Sequence, residues 1–180
     1  VKRVGNVAQP HAWRGDRNAV VNADGAISPD LPSMAAGGIR CSLRDMTRWM
    51  QVLLDPALAP GWLDAEQRRT LWTLHMPMAL GERQRRWDNA HFYGYGYGWR
   101  VSDMDGQWKV AHTGTLSGMY SSLALLPDRK VGVVMLINGE GEDARTALMQ
   151  AALKRFTAPN DARPAMEYLA ELKADQAARA

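Results

Sequence analysis

Cysteine is nearly absent from this chain. Cys41 is the sole example, so no internal disulfide can form and no Cys or His partner stands at metal-ligand spacing. Between Arg40 and Ser42 it reads as a small buried filler. The longest apolar run, Val131 to Ile137, is far too short to cross a bilayer, so no membrane span is expected. His11, His75, His91 and His112 show no His-x-x-x-His or similar pairing, and neither a metal site nor a need for any cofactor is readable. Charge of one sign is scarce as well: the net charge is +3, without clustering into a footprint. Arg83, Arg85 and Arg86 form the one dense basic group, flanked by Glu82 and Asp88, and read as a solvated loop. Nucleic acid is therefore excluded as a partner.

What is present is an ordinary globular composition, 180 residues at 46% hydrophobic and 23% charged, enough for one domain with a real core. Residues 1–33 carry Gly5, Pro10, Gly15, Asn22, Gly25, Pro29 and Pro32 and little periodicity, which predicts an irregular segment. Ser42 to Asp45 has the form of a capping box, with Leu43, Met46, Met50, Leu53 and Leu54 on one face of the helix it opens. A second helix is expected from an N-cap at Asp64 to about His75, ahead of Pro77. The pattern then changes to strands. Tyr93, Tyr95, Tyr97 and Trp99 alternate with glycines, which predicts one strand with its aromatics on one face. Asp105-Gly106 signals a tight turn and Gln107 to His112 the returning strand. Tyr120 to Leu126 and Lys130 to Asn138 form a hairpin about Pro127-Asp128-Arg129. A helix is expected from Asp143 to Phe156, and the tail from Arg163 to Ala180 reads as helical. Segregated helices and antiparallel strands indicate an α+β fold.

The chemistry concentrates in Val110-Ala111-His112-Thr113-Gly114-Thr115-Leu116-Ser117-Gly118. An apolar strand delivers His112 and Thr113 at its end, and glycines follow where a ligand can approach. A basic side chain, a hydroxyl and the free N–H groups of a sheet edge suit a carboxylate or an oxyanion.

That segment resembles the third motif of the penicillin-recognising serine hydrolases, Lys-Thr-Gly in many β-lactamases and His-x-Gly in many D-aminopeptidases and esterases. Three further stretches are similar to that superfamily in order and spacing. Ala35 to Met46 resembles its glycine pair and capped helix, Tyr93 to Trp99 its Tyr-Gly-x-Gly-Trp strand, and Ser121 to Asn138 its closing hairpin. The resemblance covers about residues 1–156. It implies the C-terminal part of a β-lactamase/transpeptidase-like fold, with antiparallel strands and flanking helices. Residues 1–90 would be part of its helical and loop region, 91–158 its C-terminal strands and terminal helix, and 159–180 a helical tail or linker.

The superfamily's Ser-x-x-Lys and its Tyr-x-Asn or Ser-x-Asn are missing: no serine here has a lysine three residues on, and no tyrosine or serine has an asparagine two on. Both motifs come earlier in the family's order, so the chain is expected to be a fragment whose partner is the N-terminal half of the same protein. The resemblance implies an acyl-enzyme hydrolase acting on amide, β-lactam or ester bonds of a small-molecule or peptide substrate. It also favours a periplasmic or secreted setting. His112 would stand in for the family's cation, Thr113 would hydrogen-bond the same substrate group, and the N–H of Thr115 would be an oxyanion donor. Gly114 and Tyr97 would line the substrate; in the aromatic stripe Trp99 is expected inside, with Tyr93 or Tyr97 nearer the cleft. Histidine is only partly charged at neutral pH, which favours D-amino-acid peptides or esters over β-lactams. The alternative is a non-catalytic peptide- or peptidoglycan-binding member of the same fold.

Overall fold

The computed structural model describes residues 6–21 and 34–179. Its elements are strands β1 (His11–Arg14) and β2 (Arg17–Val20), helices α1 (Met34–Gly37), α2 (Leu43–Leu54) and α3 (Ala65–Trp72), strand β3 (Met76–Pro77) and helix α4 (Glu82–Asp88). Then come β4 (Tyr93–Tyr95), β5 (Arg100–Met104), β6 (Gln107–Leu116), β7 (Met119–Leu126), β8 (Val131–Ile137), α5 (Glu142–Thr157) and α6 (Ala165–Ala177). Strands β3 to β8 form one antiparallel sheet in sequence order. The α+β expectation holds.

Local sequence explains several of these elements. The Ser42 hydroxyl accepts from the Asp45 N–H at 3.2 Å while Asp45 accepts from the Ser42 N–H at 2.9 Å, a reciprocal cap that starts α2 as expected. Asp64 and Gln67 do the same for α3. That helix stops at Trp72, earlier than expected, and His75 bends back to the Thr70 carbonyl at 2.8 Å. Asp105 and Gly106 both take positive φ, 51° and 75°, the mirror-image turn that matches strand twist.

Side-chain alternation builds a core on each face of the sheet. Val110, Leu123 and Leu125 pack with Met50, Leu53, Trp72 and Trp99 beneath α2 and α3. Ala124, Leu126 and Met104 pack with Met149 and Leu153 of α5. Trp87, Ala147, Tyr168 and Leu172 form a third cluster that docks α6.

Four expectations are corrected. Residues 11–20 are a hairpin, not irregular; it docks where His11 N–H donates to the Gly118 carbonyl at 3.1 Å. A side chain at Gly118, whose φ is +70°, would meet the His11 nitrogen at 2.6 Å. The remaining turn residues of that segment, Gly5, Asn22, Gly25, Pro29 and Pro32, lie outside the described residues. Arg83, Arg85 and Arg86 belong to helix α4, not a loop: Arg86 pairs with Asp175 of α6 at 2.8 Å, and Arg83 lies over the Trp87 ring. The Tyr/Gly stretch is not one strand. It turns at Gly96–Trp99, where the Gly96 N–H donates to the Trp99 carbonyl at 2.8 Å, because glycine serves a turn as readily as a strand. Finally, Cys41 is exposed. Partial burial, then Asp45, pushes its thiol pKa up, away from a nucleophilic thiolate.

Candidate active site

Strand β6 is the spine of the site, and it is longer than the sequence suggests. It continues past His112 through Thr113, Gly114 and Thr115 to Leu116. Strand β5 pairs with it only as far as Ala111, opposite Arg100, while β7 pairs with it along its whole far half. From His112 onward, one edge of β6 therefore has no strand beside it among the described residues.

The hydrogen-bond pattern fixes which backbone groups face that edge. Ser117 and Gly118 form a two-residue loop, so Leu116 and Met119 are the closing, hydrogen-bonded pair. Alternation along an antiparallel ladder then makes Thr115–Tyr120 a non-bonded pair and Gly114–Ser121 a bonded one. The N–H groups of Thr113 and Thr115 accordingly point to the open edge, and the Gly114 carbonyl points towards β7. The same counting from the Asp105-Gly106 turn makes Arg100–Ala111 a bonded pair, in agreement.

Side chains sort onto the two faces. His112 shares the α2/α3 face with Val110, while Thr113 and Thr115 lie on the α5 face with Ala111. His112 Nε2 and the Tyr95 hydroxyl share a hydrogen bond at 2.5 Å. Arg100 Nη1 donates to Thr113 Oγ1 at 2.8 Å. Arg145, in the first turn of α5, donates through Nη1 to the Gly114 carbonyl at 2.8 Å and to Thr115 Oγ1 at 3.0 Å. Gly114 is confined as well: a side chain there would collide with the Ser121 hydroxyl.

Burial, and after it the Arg100 guanidinium, pull the His112 pKa below its usual 6.5. This favours the neutral ring at pH 7, beside the Arg100 guanidinium. The side chains of His112 and Thr113 leave the strand in opposite directions, and the Thr113 hydroxyl is already engaged.

These elements form an antiparallel sheet between a capped helix pair and a terminal helix, with His-x-Gly on an open strand edge. The Beta-lactamase family model matches residues 2–156, which include that segment.

The chain belongs to the beta-lactamase family.

No curated protein matches it. Within this beta-lactamase family member, His112, Thr113, Gly114 and Thr115 come together at one edge. Tyr97 does not join them: it is 59% exposed and lies against the His75 ring at 4.5 Å. The tyrosine that reaches His112 is Tyr95. Trp99 is buried, as expected, stacked on Trp49 at 5.6 Å. Sequence reasoning missed Tyr95, Arg100 and Arg145 as site residues. For Tyr95 a signal existed, since it is the tyrosine four residues ahead of Trp99 in the Tyr-Gly-x-Gly-Trp pattern. Helix α6 lies beyond the matched residues. No described helix is long and apolar enough to cross a membrane.

Proposed function

We propose that this chain is the C-terminal part of a serine hydrolase that cleaves amide, β-lactam or ester bonds through an acyl-enzyme. In this reading it supplies half of the catalytic centre. The open edge of β6 carries the reading: the Thr115 N–H faces outward there, between His112 with Tyr95 on one face and Arg100 with Thr113 on the other. A tetrahedral oxyanion needs such a fixed donor, which costs no reorganisation when charge develops. His112 orients the Tyr95 hydroxyl as a neutral hydrogen-bonding group, and its neutrality favours a D-amino-acid peptide or an ester. The serine, its lysine and the Tyr-x-Asn motif come from the preceding half.

Strand β8 supports the need for that half. It pairs only with β7 among the described strands. Its residues, Val131-Gly132-Val133-Val134-Met135-Leu136-Ile137, include no charge and no proline, the usual guards of a free edge. Isolated, the chain should be a dimer or an aggregate in size-exclusion chromatography.

The deciding experiment compares the chain with its full-length parent. The chain alone should hydrolyse neither nitrocefin nor p-nitrophenyl butyrate above background, and the parent should label with a fluorescent penicillin or phosphonate ester. Saturable turnover by the chain that survives mutation of Cys41 and Ser117 together sinks the half-site reading. A parent that binds peptidoglycan peptides but takes no label is the non-catalytic member instead.

A further inference from the structure

Arg145 is an unusual residue to place inside a protein. Its side chain is only 6% exposed, and its one carboxylate neighbour among the described residues, Glu142 at 3.6 Å, is 70% exposed. Its Nε is buried without a hydrogen-bond partner among the described residues. Burying a guanidinium that is neither fully paired nor fully hydrogen-bonded costs stability, and an apolar side chain would suit this position in α5 better. What the guanidinium does touch is specific. Nη1 reaches the carbonyls of Gly114 at 2.8 Å and Ser121 at 3.4 Å, and the group lies over the Tyr120 ring at 5.2 Å. All of these contacts are at the far half of β6 and its partner β7.

The Gly114 carbonyl and the Thr115 N–H are the two ends of one planar peptide unit. A cation donating to the oxygen draws electron density through the amide and makes its N–H a stronger donor, an effect of about 10–30% per bond in a low-dielectric setting. The carbonyl faces β7, where Arg145 waits, and the N–H faces the open edge.

We propose that Arg145 is a positioning residue for acyl transfer: it fixes and polarises the Gly114–Thr115 peptide so that the Thr115 N–H is a stronger oxyanion donor. This rests on the acyl-transfer reading above, but its physical core can be tested apart from it. Thr113 is a built-in control. Its N–H faces the same open edge, yet the peptide before it ends in the His112 carbonyl, which Arg145 does not touch.

The test uses the full-length protein with 15N-threonine labelling. In Arg145→Gln the Thr115 amide proton should move upfield while that of Thr113 stays, and Arg145→Lys should fall between Gln and wild type. An unmoved Thr115, or a Thr113 that moves as far, overturns the proposal. In turnover of an ester, Arg145→Gln should lower kcat about tenfold, less than outright loss of an oxyanion donor, with KM unchanged and most of the rate restored in Arg145→Lys. A rise in KM at constant kcat overturns it too. Should Arg145→Gln fail to fold, Arg145→Lys carries both measurements against wild type. Wild-type protein that turns over nothing defeats the functional reading alone, and the amide resonances still decide this one.

Discussion

At Val110 and Ala111, β6 has a strand on each side, and Val110 is wholly out of solvent. Between His112 and Leu116 it has β7 alone, and its polar groups are tied to side chains from elsewhere: Tyr95, Arg100 and Arg145. The doubly paired stretch is held by two ladders and the core, the far half by one ladder and by individual polar contacts. Local stability is expected to be greater where backbone groups are paired on both sides, and the proposed chemistry lies where one side is open.

Four measurements would break or sharpen this contrast. The largest effect should come from the doubly paired stretch. Leu125, opposite Val110 and 0% exposed, loses about 3 kcal/mol on Leu125→Ala, read by equilibrium urea denaturation, with turnover per folded molecule preserved. A loss under about 1 kcal/mol would place the core elsewhere. In the open half the order reverses. His112→Ala in the parent should cost about 10²-fold in kcat/KM but only about 1 kcal/mol in stability. Activity within about twofold of wild type would make His112 a structural residue.

The smallest effect is on pH. His112 binds its proton less readily folded than unfolded, its pKa being lowered from 6.5 by burial and Arg100. The unfolded chain therefore takes up more protons below that value. The His112 contribution is full above pH 6.5 and is lost as pH falls from there through the folded pKa. Melting temperatures of wild type and His112→Gln should run parallel above pH 6.5 and converge below it. Arg100→Gln should raise the His112 pKa in an NMR titration; no change would mean that burial alone sets it.

Sequence was informative wherever one local rule decided the outcome. The Ser42–Asp45 and Asp64–Gln67 caps, the Asp105-Gly106 turn and the Pro127–Arg129 connection all stand where they were expected. It was ambiguous where two structures obey the same rule. Alternating glycine and aromatic residues fit a seven-residue strand, but they equally fit three strand residues and a turn, and Gly98 at φ +74° took the turn. Arg83, Arg85 and Arg86 are exposed, as a solvated group is, but their helix and the Arg86 partners Glu171 and Asp175, far along the chain, were not legible. Arg145 was hidden for the same reason: three residues after Glu142, it has the spacing of a surface ion pair, and only the fold brings it to Gly114. The strand position of His112 was legible, but the lowering of its pKa was not, since that depends on burial and on Arg100.

The seat of the N-terminal hairpin has a consequence for how this sequence can vary. At position 118 the positive φ and the His11 backbone together exclude every side chain. The turn that ends β6 is therefore the seat of the N-terminal hairpin: any side chain at position 118 would force the His11 backbone, and the hairpin with it, to shift. Because the contact is to backbone, the identity of residue 11 does not enter into it, and a single position far along the chain fixes where the hairpin sits.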